Sequence, residues 1–465
     1  MSPQIATCVY IALILAMFIL DRELQVPYSR ALWIPTTWLL INGSRSVSLW
    51  LETGPTVGSN NLEGSPLDAA VFGMLLLGGV GVLIARRQRV GIFLRNNAPI
   101  LIFVGYCALS TIWSDYPFVA LKRWSKSVGD IVMVLIVLTD ANPPIAIKRF
   151  FSSAGFILIP LSVLFVKYYP DLGRSYNPWT WEPMYGGVTV FKNLLGMTCL
   201  VCALGSLWCF IAAYRDRTGT DRIRHLLPHV TVVAMAIWLL LTADSMTSLS
   251  CFLIAGSVMV ITSISRLARK PRTVHLLVAA VVGVCLSALF LPGSGLVESL
   301  GRDATLTGRT AIWSAVLAQV RNPILGTGFE SFWTGDRLLR VWAAINEKGV
   351  QEAHNGYIEV YLNLGWIGVT LLGVLLVAGY RNIISLLRQN PDAGTIRLGF
   401  FVAGIIYSLT EAGFRMMSVV WISLLLATMF VPRTRLKKVR KSREKPSAKL
   451  IPEITASYED ACEAI

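Results

Sequence analysis

Charge is scarce in this chain. Only 15% of its 465 residues are charged and 54% are hydrophobic, whereas soluble domains are charged at roughly a quarter of their positions. Mean hydropathy is +0.60. This composition excludes a soluble globular protein and removes any estimate of domain number from length. Cysteine is missing where it would form disulfides. Cys8, Cys107, Cys199, Cys202, Cys209, Cys251 and Cys285 fall in apolar runs and Cys462 in the tail, so no extracytoplasmic disulfide is expected. Cys199 and Cys202 have CxxC spacing, but inside an apolar run they read as small hydrophobic side chains. No repeat of fixed period occurs. No basic residue precedes the first apolar run and no small-residue cleavage site follows it, the pattern of a retained helix rather than a signal peptide. The net charge of +15 belongs to no folded basic domain, which excludes nucleic acid as a partner.

What is present is a series of long apolar runs, at 4–20, 31–42, 68–85, 97–113, 127–139, 150–166, 188–213, 229–243, 247–264, 274–291, 356–379, 398–410 and 416–431. A helix needs about 20 mostly apolar residues to cross a bilayer, so an all-α polytopic membrane protein of about twelve spans is expected. The runs at 31–42, 127–139 and 398–410 are short for that task. Basic residues gather at Arg86, Arg87, Arg89 and Arg95, at Arg215, Arg217, Arg222 and Arg224, at Arg266, Arg269, Lys270 and Arg272, and along the tail from Arg433 to Lys445. The positive-inside rule makes that side cytoplasmic and places the loops 43–67, 114–126, 167–187 and 292–355 outside. Lys122, Arg123 and Lys126 fall on the wrong side by this count. The chain is thereby divided into an N-terminal transmembrane bundle (1–291), a large outer, periplasmic loop (292–355), C-terminal transmembrane helices (356–431) and a cytoplasmic tail (432–465). The tail is basic and then acidic, suited to anionic membrane lipid in its first part.

The loop 292–355 carries six basic residues (Arg302, Arg309, Arg321, Arg337, Arg340, Lys348) and six acidic ones (Glu298, Asp303, Glu330, Asp336, Glu347, Glu352). Balanced charge and five large aromatics (Trp313, Phe329, Phe332, Trp333, Trp342) describe a folded segment rather than a linker. Ile312, Trp313, Val316, Leu317 and Val320 recur with helical spacing, Asn322-Pro323 stops that helix, and Gly326-Thr327-Gly328 forms a turn. Arg302 and Arg309 flank the helix start, and arginine suits bidentate phosphate binding. His354, beside Glu352 and Asn355, closes the loop where water meets membrane, and a histidine titrates near neutral pH. The bland alternatives are an arginine pairing with Asp303 or a lipid headgroup, and a histidine that merely caps a helix. In the loop 167–187, Arg174 is a second candidate cation. Lys192 and Asn193 open the following apolar run, where polar groups are costly unless they face a cavity or snorkel to the surface. Glu411 and Arg415 read as an i,i+4 ion pair across the last turn.

These residues resemble the O-antigen ligase and Wzy-type polymerase superfamily, nearest to exopolysaccharide polymerases of the ExoQ type. The resemblance lies in Gly308-Arg309-Thr310 with Trp313, in Asn322-Pro323-Ile324-Leu325-Gly326-Thr327-Gly328, in His354-Asn355-Gly356-Tyr357 and in Leu364-Gly365-Trp366-Ile367-Gly368. It extends to Gly187-Val188 through Phe191-Lys192-Asn193-Leu194-Leu195-Gly196, and to Trp33-Ile34-Pro35 with Gly43-Ser44-Arg45. The resemblance implies a GT-C-like glycosyltransferase acting outside the bacterial cytoplasmic membrane, without metal or cofactor. The donor is then a glycan on undecaprenyl diphosphate. The acceptor is another lipid-linked repeat for a polymerase or a lipid A core for a ligase, and a chain-length regulator or export complex is a possible partner. Carried over by motif, His354 and Arg309 are catalytic. Arg174, Arg302 and Lys192 are expected at the diphosphate, and Asn193, Glu352, Asn355 and Trp313 at the substrate. No Asp-x-Asp pair occurs in the outer loops, in keeping with metal independence. Two other readings compete: a transporter, which would place polar residues along a mid-membrane path, and a non-catalytic scaffold of an export complex.

Overall fold

The computed structural model describes residues 1–23, 29–53, 64–176, 181–216, 218–264, 270–290 and 309–430. Apart from one short antiparallel hairpin, Arg174–Tyr176 against Pro183–Tyr185, the described chain is helix and connecting turn. Among the described residues, eight helices are long and apolar enough to cross a membrane: Pro3–Leu20, Pro66–Ala85, Pro143–Tyr168, Lys192–Arg215, Gly219–Thr242, Met246–Ser263, Gly356–Gln389 and Pro391–Thr410. A ninth is added if Arg87–Asn96 and Ala98–Trp113, bent by 87° at their junction, count as one span. The expected all-α polytopic class holds, and some of the expected runs form helices too short to cross alone. The run at 31–42 forms a helix of ten residues, Trp33–Asn42, about 15 Å long at 1.5 Å per residue, half of a roughly 30 Å hydrocarbon core. Val419–Thr428 is equally short. Pro117–Leu138 is long enough, at 22 residues, but carries Lys122, Arg123, Lys126 and Asp130 along its length.

Several helices open on proline at the first positions, as in Pro66–Ala85, Pro117–Leu138, Pro143–Tyr168 and Pro391–Thr410, where the missing N–H has no intrahelical partner to lose. Pro3–Leu20 and Pro66–Ala85 lie at the periphery, with 11% of their apolar windows buried, while Pro391–Thr410 lies at the centre with 83% buried. The described residues belong to one unit, Met1–Val431. The expected tail 432–465 lies outside the described residues.

Helix ends sort into two faces. On one, Arg86 pairs with Asp140 at 3.1 Å, Lys148 with Asp21 at 3.3 Å and Arg215 with Asp392 at 3.0 Å. On the other, the Thr7 and Tyr169 hydroxyls meet at 2.8 Å, Thr198 donates to the Gly43 carbonyl, and Arg45 donates to the carbonyls of Leu172 and Thr189. The first helix therefore starts on the face of the 169–191 segment and ends, at Asp21, on the arginine-rich face. Lys122, Arg123 and Lys126 precede the apolar half of their helix. Arg123 reaches the carbonyl of Glu330, so this misplaced positive charge belongs with the long loop.

Candidate functional site

The long loop is anchored by its glycines. Gly326 and Gly328 adopt φ of +71° and +94°, and a Cβ at Gly326 would lie 2.5 Å from the backbone of Asn363. The turn thus docks directly on the Gly356–Gln389 helix, where Thr327 and Gly328 N–H donate to the carbonyls of Leu362 and Asn363. That helix breaks at Gly365 (φ +62°, ψ −164°). Its freed groups are taken up by the loop, since Trp366 and Ile367 N–H donate to the carbonyls of Pro323 and Ile324. The two motifs Asn322–Gly328 and Leu364–Gly368 are the two halves of one joint.

Helices Arg309–Leu317 and Gly335–Ile345 pack over this joint through a small core of Ile312, Val316, Phe332, Leu338, Val341 and Leu362. The aromatic N–H groups then fix the approach to His354. Trp313 Nε1 donates to the Ala353 carbonyl at 2.8 Å, and Trp333 Nε1 to both Glu359 oxygens at 3.0 Å. Glu359 Oε1 accepts the Ala353 N–H at 2.5 Å. Asn355 caps the next helix by accepting from Tyr357 and Ile358 N–H, and its amide donates to the Leu409 carbonyl. Gly356 permits this approach, because a Cβ there would stand 2.9 Å from Ser408 and 3.0 Å from Phe414. Held on both sides, His354 takes a left-handed conformation at φ +48°, uncommon for a residue with a Cβ and a mark of an over-determined site.

His354 Nδ1 lies 3.1 Å from Glu411 Oε2 and 3.1 Å from Glu352 Oε1. Arg309 Nη2 pairs with the other Glu411 oxygen at 2.6 Å. Arg415 completes the group, with Nε 3.3 Å from Glu330 and Nη1 3.9 Å from Glu352. Burial alone would lower the His354 pKa. The Glu411 hydrogen bond and the charges of Glu352 and Glu411 outweigh that effect and the opposing Arg309, and the net shift is upward. One nitrogen is thus committed to carboxylates while a quarter of the side chain stays exposed, the arrangement of an oriented proton acceptor. The ligand-type atoms of Glu352, His354 and Glu411 fall within 4.8 Å of one another. Arg309 pairs with Glu411, and Arg415 stands 3.9 Å from Glu352, so two guanidiniums share these carboxylates.

Of the residues singled out in the sequence, His354, Arg309 and Glu352 come together. Asn355 and Trp313 hold the backbone on either side of the histidine. Arg174 is engaged elsewhere: its Nε and Nη2 both donate to the Val166 carbonyl, at 2.9 and 2.7 Å, and its guanidinium lies 5.6 Å from the Tyr185 ring centre. Lys192 and Asn193 open the Lys192–Asp216 helix and are half-buried. Arg302 lies outside the described residues. The i,i+4 reading of Glu411 and Arg415 is corrected. The Pro391–Thr410 helix ends at Glu411, whose backbone is extended (φ −146°, ψ 162°), so the two side chains turn to different partners. Glu411, Arg415 and Glu330 are the site residues that spacing along the chain did not find. For Glu411 and Arg415 the signal was charge at the end of an apolar run, and Glu330 was one of the loop's six acidic residues.

Residues 230–373 match the family model described as O-antigen ligase, a stretch that contains Arg309, Glu352 and His354. The chain is also 24% identical over 318 residues to the exopolysaccharide production protein ExoQ of Rhizobium meliloti (strain 1021), covering 66% of this chain and 70% of that protein. In its helical membrane architecture, its joined motifs and these two similarities, the chain is a multi-pass membrane protein that resembles the polysaccharide polymerases and ligases of the O-antigen ligase and Wzy-type superfamily.

Proposed function

We propose that the protein polymerises undecaprenyl-diphosphate-linked oligosaccharide repeats into exopolysaccharide or O-antigen at the periplasmic face of the bacterial inner membrane, with its tail 432–465 in the cytoplasm. The observation that carries this reading is His354 Nδ1 held between Glu352 and Glu411, beside the Arg309 guanidinium on the same glutamate. An acceptor sugar hydroxyl attacks the anomeric carbon of the donor. The new glycosidic bond forms as the anomeric carbon–oxygen bond to the diphosphate breaks. The hydroxyl proton passes to neutral His354 through Nε2, the nitrogen not facing the carboxylates, and such base catalysis contributes about 10²–10⁴-fold. Charge develops on the departing diphosphate, where Arg309 supplies fixed positive charge. A guanidinium has five N–H donors, so its bond to Glu411 leaves capacity for phosphate. Losing one such donor costs about 3 kcal/mol in the barrier.

We assign the leaving-group charge to guanidiniums and require no divalent ion, so transfer should proceed unchanged in excess EDTA. Loss of activity on chelation, restored by added Mg²⁺, would remove that assignment. The outer loop 292–355 is taken as the catalytic insert between the N-terminal bundle 1–291 and the C-terminal helices 356–431. A chain-length regulator or export complex fits as a partner. The decisive test expresses His354→Ala and Arg309→Ala in a strain lacking the gene and separates lipid-linked and surface glycans on a gel. Single repeats accumulating on the carrier with no ladder support polymerisation. Long chains that stay on the carrier and never reach lipid A indicate a ligase instead. Wild-type ladders from both well-expressed variants refute the catalytic assignment.

A further inference from the structure

Glu411 and Arg415 belong to a turn, residues 411–418, that joins the Pro391–Thr410 and Val419–Thr428 helices. The far end of that turn is held by a side chain the transfer mechanism does not use. Asp130, on the Pro117–Leu138 helix, is completely buried. Its Oδ1 accepts the Trp38 indole N–H at 2.8 Å, and its Oδ2 accepts the Met417 backbone N–H at 2.8 Å. Among the described residues no cation lies within ion-pair distance of it. A buried carboxylate supported by two neutral donors is costly to keep, and Met417, which donates to it, sits in the left-handed region at φ +60°. The indole reaches Asp130 only because residue 129 is glycine, where a Cβ would come 2.3 Å from the Trp38 ring. The next residue, Ser418, caps the following helix, so one end of the turn is clamped while the other presents Glu411 and Arg415.

We propose that Asp130 is a positioning residue for glycosyl transfer, which, by fixing Met417, holds the 411–418 turn in the register that brings Glu411 to His354 and Arg309. This rests on the catalytic reading of His354 given above. Two acceptor oxygens are required, one for each N–H. In Asp130→Asn one of them becomes an amide donor, which leaves either the indole or the Met417 N–H facing another donor. A carboxylate displaced by an ångström at the reacting group costs on the order of 10²-fold in rate.

The test uses the full-length protein in lipid nanodiscs with lipid-linked repeats, with rates normalised to folded protein. Asp130→Asn is expected to lower kcat on the order of 10²-fold with KM for the acceptor unchanged. The acid limb of its pH profile should move to lower pH, because His354 loses Glu411 while Glu352, Arg309 and Arg415 remain around it. The double variant Asp130→Asn with Trp38→Phe removes the indole donor, frees the amide oxygen for Met417, and should recover most of the rate and the limb. A wild-type rate and limb in Asp130→Asn would overturn the proposal. So would a lost rate with the limb unmoved and no recovery in the double variant, which would make Asp130 a purely structural strut. His354→Ala, assayed alongside, separates the two readings: activity there removes the base assignment itself, whatever Asp130 does.

Discussion

Glu411 binds the two residues that the sequence marks most clearly. One carboxylate oxygen meets Arg309 and the other meets His354, so a single side chain sets both the charge and the orientation of the site. Its role was not legible in the chain. Its partners lie 102 and 57 residues away, and nothing in local spacing reports such a distance, whereas Arg415 four positions on offered an obvious local mate. His354 and Arg309 were legible because each stands in a motif whose glycine or aromatic neighbours have their own reasons to be there. The prediction at this scale concerns proton affinity. Burial pulls the His354 pKa down, but the hydrogen bond it donates to Glu411 and the two carboxylate charges overcome burial and leave the pKa raised in the folded protein. As the proposed base, His354 must be neutral, so the acid limb of the rate profile should lie above the ordinary imidazole range. Glu411→Gln removes a negative charge from Nδ1, and the limb should move to lower pH. The rate on the plateau should fall about 10²-fold or more as Arg309 and His354 lose their common support. A Glu411→Gln profile superimposable on that of the wild type would separate Glu411 from the chemistry.

At the scale of elements, each apolar run contributes a helix among the described residues, because backbone groups in lipid must be satisfied within their own segment. What periodicity did not disclose was where a helix stops being one. The run 356–379 is continuous in hydropathy, yet the backbone turns at Gly365 and gives its N–H groups to the loop. Glycine alone marks that break, and glycine is frequent in membrane helices for other reasons. The joint makes a strong prediction. A Cβ at Gly365 would come 2.2 Å from the Ile324 carbonyl oxygen, at a φ of +62° that side chains rarely adopt. Gly365→Ala should therefore lose several kcal/mol through strain and clash and release the loop from the membrane helix. Limited proteolysis of purified protein should cut the variant within 309–355 much faster than the wild type, and polymer should disappear with it. Equal cleavage rates would show that the loop holds its place without the joint.

At the scale of the whole molecule, the placement of the first helix follows from contacts too distant to read in sequence. Lysine and arginine counts order the later loops well, but the first two apolar runs have few charges around them, and one of the two is too short to span unaided. Parity at the N-terminal end was therefore open. Packing closes it. Thr7, near the start of the first helix, meets Tyr169 beside the 174–185 hairpin, while Asp21 at its end meets Lys148 and the buried His225. His225 lies seven residues into the helix that begins at Gly219, on the arginine-rich face. A chain that began on that face would have to drag Asp21 away from Lys148, His225 and His229 and leave a buried carboxylate unpaired, at a cost of several kcal/mol. Single cysteines placed at Ser2, Ser175 and Thr218, in a background with the native cysteines replaced, test this directly in intact membrane vesicles of one orientation. Ser2→Cys and Ser175→Cys should react together with a membrane-impermeant maleimide, and Thr218→Cys should react only after the vesicles are opened. If position 2 instead labels with position 218, the first helix runs the other way, and the Asp21 cluster must be held by something other than this topology.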